Sequence, residues 1–239
     1  MARRALIELL TKQRPELVDA RAAIEAGEVH VDGVIVTNPN SLVRNDAAIV
    51  VKQAKELKGE AKLAGGLDGF REPVVVEGKT CLDVGASTGG FTTELLRRGA
   101  RFVYAIDAGH GQLMGSLRQN PRVKNYEATN ASELDRQLIP QPIDVVTIDV
   151  SYSPLRVIVP DITKNLDWSP GAVMVALVKP MFELQAATLP TERADLERAV
   201  NSGEMALDSS GWHVHEAIES PLRGNNGAIE FFLRATLSP

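Results

Sequence analysis

Two ionisable residues stand at the ends of mostly apolar, strand-like runs: Asp149 closes IDVVTID, and Lys179 follows AVMVALV with Pro180 next. Packing explains such charges poorly, because a buried charge is costly unless it is paired. Both would lie at the carboxyl edge of a parallel sheet, where open α/β folds bind ligands. The two readings are a structural ion pair and a chemical site. A third feature has the same address. Asp83-Val84-Gly85-Ala86-Ser87-Thr88-Gly89-Gly90-Phe91 leaves a strand-like run and enters a helical one. Its glycines let the backbone turn tightly and approach a ligand closely.

The dinucleotide fingerprint G-x-G-x-x-G, aligned on Gly85 and Gly90, puts Ser87 where the middle glycine belongs. That glycine exists so that a pyrophosphate can touch the backbone. A serine there argues against a nicotinamide dinucleotide and fits a ligand without pyrophosphate, such as S-adenosylmethionine. Asp107 stands 22 residues after Gly85. A carboxylate there can accept hydrogen bonds from both hydroxyls of a ribose, a device that either ligand class uses.

These positions require a sheet to hold them. Strands are expected at Thr80–Val84, Phe102–Ile106, Val123–Tyr126, Asp144–Val150, Val173–Val178, Trp212–Ile218 and Ala228–Ala235, with helices near 90–99, 112–119, 154–165 and 191–209. Strands separated by helices pair in parallel through right-handed crossovers. The last two, joined by SPLRGNNG without a helix, should pair antiparallel. The expected fold class is therefore α/β: a Rossmann-like, seven-stranded methyltransferase sheet preceded by a small N-terminal α+β domain. In that domain, residues 3–12 put Leu6, Leu9 and Leu10 on one helix face, and Pro15 is placed to start a second helix ending at Gly27. EVHV-DG-VIVT reads as a hairpin on Asp32-Gly33, and Ala47–Val51 as a further strand. The charged stretch KQAKELKGEAK reads as core-poor, which gives domains at 1–54 and 62–239 and a linker at 55–61.

The first fifth of the chain, through Ala22, Ala23, Gly27 and Val29-His30-Val31-Asp32-Gly33, resembles the S-four-like RNA-binding domain. That resemblance implies RNA contacts from Arg3, Arg4, Lys12, Arg14 and Arg21; the bland alternative is a solvated helix face. In the larger part, LDVGASTGGFT, VYAID-GHGQL, YEATN, DVSYSPL, LVKPMFE and GAIEFFL look like the TlyA hemolysin-like family, which joins an S-four-like domain to an FtsJ-like methyltransferase. The resemblance implies S-adenosylmethionine-dependent 2′-O-methylation of cytidine in small- and large-subunit ribosomal RNA, by a cytoplasmic enzyme. The family's Lys-Asp-Lys-Glu set falls on Lys62, Asp149, Lys179 and Glu230. Lys179 would serve as base, with Asp149 and Glu230 orienting it and the ribose hydroxyl. Without the family, Glu230 reads as a solvent-facing strand residue. The donor would be held by Asp83, Gly85, Ala86, Ser87, Thr88, Gly89, Gly90, Phe91, Asp107, Asn130 and Asp149. The departures lie on the substrate side: Leu57-Lys58-Gly59-Glu60-Ala61 replaces a Ser-Arg-Gly-Gly run, Met181 a glutamine, LQAATLPTERADLE a glycine-rich basic stretch, and Ala228 an asparagine. A non-catalytic RNA-binding or ribosome-assembly factor and a hemolysin-like membrane-active protein are the alternatives.

Composition narrows these classes. The 239 residues carry one cysteine, Cys81, so a disulfide scaffold is excluded. The longest apolar run, Ala172 to Val178, is far short of the ~18 residues that a bilayer requires, so no stable membrane insertion is expected. His213 and His215 share a strand face without a third ligand, so no metal site is expected. The net charge of −5 counts against indiscriminate nucleic-acid binding. Residues 1–60 hold nine basic and nine acidic side chains, so RNA contacts there must come from a local patch.

Overall fold

The computed structural model describes residues 3–17, 19–25, 27–51 and 57–238. The chain divides into two compact units, Met1–Glu56 and Leu57–Pro239.

The smaller unit contains β1 (Arg3–Ala5), α1 (Leu6–Gln13), α2 (Ala20–Glu25), β2 (Val29–Val31), β3 (Val34–Ile35), β4 (Leu42–Arg44) and β5 (Ile49–Val51). Its core is Leu6, Leu10, Ala23, Ile24, Val29 and Val31. Asp32 and Gly33 adopt φ of 50° and 85°, the left-handed pair that a type I′ hairpin needs, and β2 pairs with β3 across them. The Asp32 carboxylate accepts from the Ala48 amide and from the Arg44 guanidinium, tying the hairpin to the next turn. Two expectations shift here. Arg3–Ala5 is strand, paired with β4, so α1 starts only at Leu6. The second helix starts at Ala20 and not at Pro15, because Asp19 caps it by accepting from the Ala22 amide at 2.9 Å.

The larger unit contains α3 (Lys58–Gly69), β6 (Thr80–Val84), α4 (Gly90–Arg97), β7 (Phe102–Ile106), α5 (Gly115–Arg118), β8 (Val123–Tyr126), β9 (Ile143–Ile148), α6 (Leu155–Asn165), β10 (Trp168–Val178), α7 (Pro180–Glu183), α8 (Arg193–Asp208), β11 (Trp212–Glu219) and β12 (Phe231–Leu237). Seven strands form one sheet in the order β11-β12-β10-β9-β6-β7-β8. β12 runs antiparallel to both neighbours and the remaining pairs are parallel. This is the Rossmann-like methyltransferase arrangement. Both sheet faces are covered, by clusters centred on Leu82, Val146 and Met174 on one side and on Leu63, Phe91 and Phe232 on the other.

The expected linker at 55–61 needs correction. Lys55 and Glu56 lie outside the described residues, but Lys58–Ala61 form the first turn of α3. In that turn Lys58 is exposed and Glu60 half-buried, while Leu63 and Leu67 beyond it are buried. Gly59 allows the close packing: a Cβ there would stand 3.3 Å from Cα of Gly90.

Register places the site. Val84 pairs with Ile106 on one side and Ile148 on the other, so Gly85, Asp107 and Asp149 leave the sheet at one level. Ala176 pairs with Ile148, and Val178 with Phe231 on antiparallel β12, so Lys179 and Glu230 lie side by side just beyond that level, beside Ser151.

Asp83 differs from expectation. Its side chain is fully buried beneath the glycine loop and accepts from the hydroxyls of Thr92 at 2.6 Å and Thr147 at 3.0 Å. Burial pushes its carboxyl up to about 7 against these hydroxyl bonds, with Asp149 adding in the same direction. The unfolded carboxyl ionises near ~4, so stability is full below that pH and falls as pH rises toward 7. Asp83→Asn should therefore flatten the decline in Tm between pH 4 and pH 8 and exceed the parent in Tm at pH 8. Calorimetric melts across that range check it; parallel pH profiles would contradict a shifted Asp83.

Candidate functional site

The glycine loop is built from strained or glycine-only backbone. Gly85, Ser87 and Gly89 have φ of 89°, 48° and 101°. A Cβ on Gly85 would lie 2.4 Å from the carbonyl oxygen of Asp149, so only glycine allows β6 and β9 to end this close together. Asp107 reaches across from the end of β7. Its carboxylate accepts from the Ser87 amide at 2.7 Å and the Gly109 amide at 2.6 Å. Each oxygen keeps a further lone pair for a ligand hydroxyl.

Two adjoining cavities open at this edge. The first, about 400 Å³, is bounded by Gly85, Ser87, Asp107, Gln112, Asn130 and Asp149, among others. Asn130 is fixed by a capping box with Glu133. The second, about 330 Å³, shares Gly85, Ser87 and Asp149 and adds Ala86, Thr88, Gly90 and Phe91. Of the residues expected at the donor, Asp83 and Gly89 border neither cavity. Asp83 is the buried carboxyl described above, and a Cβ on Gly89 would strike Leu117 at 2.1 Å.

Lys62, Asp149, Lys179 and Glu230 all line the second cavity. They form two ion pairs. Nζ of Lys62 donates to Oε2 of Glu230 at 2.5 Å, with Lys62 only 7% and Glu230 only 5% exposed. Glu230 is thus not the solvent-facing strand residue that its position alone indicated. Nζ of Lys179 stands 2.6 Å from Oδ1 of Asp149 and donates to Oγ of Ser151 at 3.1 Å. The Asp149 contact is off the hydrogen-bonding line, and this buried oxygen has no hydrogen-bond donor. It is an acceptor left over at the boundary of the two cavities. Lys58, at the rim, donates to the Gly224 carbonyl at 3.1 Å and links α3 to the loop before β12.

A third, more apolar cavity of about 270 Å³ continues from Lys179 and Glu230 along Tyr152, Pro180, Met181, Phe182 and Ile229. The Tyr152 ring is 89% exposed, lies 5.3 Å from that of Phe182, and is carried on a backbone of φ 70°. A bulky residue in that conformation marks stored strain of the kind found at binding sites. Sequence reasoning missed Ser151, Tyr152, Gln112 and Lys58. DVSYSPL and GHGQL contain three of them, but the exposure that singles out Tyr152 leaves no mark in composition.

In the smaller unit Arg3, Arg4, Lys12, Arg14 and Arg21 are all exposed. Arg14 pairs with Glu16 and Arg21 with Glu25. Arg3 lies opposite Arg44 in the β1–β4 pairing. Among the described residues, no cluster of three or more His, Cys, Asp or Glu is arranged to hold a metal ion, and no helix is long and apolar enough to cross a membrane. The His213 and His215 rings pack edge to face, and His215 bonds Thr236.

Residues 58–236 match the FtsJ-like methyltransferase family. The chain is 37% identical over 248 residues to the 16S/23S rRNA (cytidine-2′-O)-methyltransferase TlyA of Mycobacterium tuberculosis, covering 98% of this chain and 90% of that protein. It is 35% identical to hemolysin A of Brachyspira hyodysenteriae, over 89% and 90% of the two chains. A solved structure of a hemolysin-type chain from Streptococcus thermophilus superposes with a TM-score of 0.70 at 30% identity, covering all of this chain and 90% of that one.

The glycine loop generates a direct test. Gly85→Ala forces a methyl onto the Asp149 carbonyl from a left-handed backbone, which should cost about 1–3 kcal/mol. For a unit of this size that lowers Tm by roughly 2–10 °C. A melt within 1 °C of the parent would show that the strands relax around the methyl.

Proposed function

The chain belongs to the FtsJ-like methyltransferase family, and on that premise we propose that it methylates the 2′-hydroxyl of cytidine ribose in ribosomal RNA of the small or large subunit, with S-adenosylmethionine as donor. One observation carries the proposal: the Lys62–Glu230 and Lys179–Asp149 pairs converge between a glycine-loop cavity and an aromatic-walled one.

The residues present fit that donor. The first cavity carries Ser87 where a dinucleotide loop has its middle glycine, Asp107 has lone pairs for ribose hydroxyls, and Oδ1 of Asp149, ion-paired with Lys179, accepts no hydrogen bond. Gly85, Ser87, Asp107, Asn130 and Asp149 would hold it. When bound, S-adenosylmethionine supplies a methyl group activated by a positive sulfur.

The chain's own task is then to align a hydroxyl and receive its proton. Lys179 is held there by its ion pair with Asp149 and its hydrogen bond to Ser151. Lys179 acts as an orienting donor to the hydroxyl oxygen, and the proton leaves late, as bond formation acidifies it, to the Asp149 carboxylate beside Lys179. Lys62 and Glu230 fix the opposite wall, and their burial keeps that wall rigid. The exposed Tyr152 ring beside Lys179 suits a stacked nucleobase, because RNA readers stack unpaired bases on aromatic side chains. In the smaller unit, Arg3, Arg4 and Lys12 are the cations for phosphate, since Arg14 and Arg21 spend charge on neighbouring carboxylates. The net charge of −5 makes a folded ribosomal subunit in the cytoplasm a better substrate than bare RNA.

Tritiated-methyl transfer onto 30S subunits, 50S subunits and naked rRNA tests this. The product should be 2′-O-methylcytidine. Lys179→Ala should lose roughly a hundredfold or more in kcat while keeping donor affinity. Tyr152→Ala should weaken the substrate side by about 1–3 kcal/mol. Transfer at the parent rate in Lys179→Ala removes its assigned role. Donor binding with no transfer to any subunit favours a non-catalytic RNA-binding factor.

A further inference from the structure

One wall of the first cavity is a loop, Asp107 to Leu113, with glycines at 109 and 111. Its first half is held by the Asp107 carboxylate and by the Ala128 amide, which donates to the Gly109 carbonyl. Its second half is held by a residue that does not border the cavity. Oε1 of Glu127 accepts from the backbone amides of both Gln112, at 2.5 Å, and Leu113, at 3.0 Å. Oε2 accepts from the Asn125 side-chain amide at 3.0 Å. The Leu113 amide and then the Asn125 amide hold this carboxyl down at about 2, so it is ionised throughout the working range.

The clamp controls where Gln112 goes. The Gln112 side-chain amide lies directly over Gly109, where a Cβ would meet its Nε2 at 2.0 Å. Its Oε1 accepts from the hydroxyl of Ser87 at 3.1 Å. Gln112 therefore joins the Asp107 loop to the glycine loop across the cavity mouth, and its backbone is pinned by Glu127. A charged carboxylate accepting two successive amides is among the stronger uncovalent anchors a loop can have.

We propose that Glu127 is a positioning residue that sets affinity for the nucleoside part of the donor, acting through Gln112 and not through contact with the reacting atoms. This rests on the methyltransferase reading above. Releasing Gln112 and Leu113 lets the loop leave the cavity, so donor binding must first order it again. Substrate RNA contacts, which use the Lys179 side of the site, should not respond.

Titration calorimetry with S-adenosylmethionine and steady-state methyl transfer test the proposal. Glu127→Ala should weaken donor binding about tenfold and raise KM for the donor in step, while KM for ribosomal subunits stays put and most of kcat survives at saturating donor. Glu127→Gln keeps an acceptor for both amides and should recover much of the affinity. Because both residues act through one arrangement, Glu127→Ala combined with Gln112→Ala should be little worse than either alone. Should Glu127→Ala fold poorly, Gln112→Ala and Glu127→Gln carry the same comparison. Donor affinity within twofold of the parent in Glu127→Ala, or full additivity in the double variant, overturns the inference. A fall in kcat and Tm without a change in donor affinity does so too, since that is a structural role. A parent chain that binds no S-adenosylmethionine overturns the methyltransferase reading itself.

Discussion

The buried pair of Lys62 and Glu230 constrains the whole larger unit. Its partners are separated by 168 positions and meet with almost no solvent access. Taking both charges out of water costs more than an ordinary contact returns, so such a pair does little for stability and much for defining one arrangement. Holding it requires α3 to press onto the start of β12. Three glycines of that helix permit this. A Cβ on Gly66 would lie 2.6 Å from the Phe232 ring, one on Gly65 2.6 Å from Pro221, and one on Gly59 3.3 Å from Gly90. KGEAKLAGGLDG is a poor helix by intrinsic preference, since glycine costs about 1 kcal/mol against alanine in a helix. Close approach compensates for that cost, and it delivers Lys62 to the second cavity.

This explains which parts of the fold were legible in the sequence. Thr80–Val84, Phe102–Ile106 and Val123–Tyr126 emerged with the bounds that the structure has; the first two are short, mostly apolar interior strands, whereas Val123–Tyr126 lies at the sheet edge with Lys124 exposed. The antiparallel end of the sheet followed from a helix-free connection. α3 was illegible along its whole length, because glycines placed for packing look the same as glycines of a linker. Asp83 failed for the opposite reason. In a strand buried on both faces, alternation carries no information about direction, so a carboxyl under the loop cannot be told from one aimed at a ligand. Its neighbours Leu82 and Val84 are as buried as it is.

Net charge also says less than local pairing. Glu94 is fully buried yet holds both Arg97 and Arg98, and Arg98 also reaches Asp68 across to α3. Arg44 is committed to Asp32 in the smaller unit. These residues enter a formal total but present little free charge to a partner. The quantity relevant to a polyanion is the set of cations left without carboxylates, and that set is local.

The two sides of the site are specified in physically different ways. The glycine-loop side is made of backbone: amides of Ser87 and Gly109 on the Asp107 carboxylate, glycine approach at Gly85, and strand register that puts three strand ends level. Any change there propagates into the sheet, so its motif survives intact and is readable. The Tyr152 side is made of side chains on loops and short helical turns: Tyr152, Met181, Asn225 and Asn226 around the third cavity. Their replacement disturbs no strand. Met181 and Ala228, two of the positions at which the sequence departs from the family it resembles, both line that cavity. A scaffold divided this way can change what its aromatic-walled cavity receives without rebuilding its glycine loop.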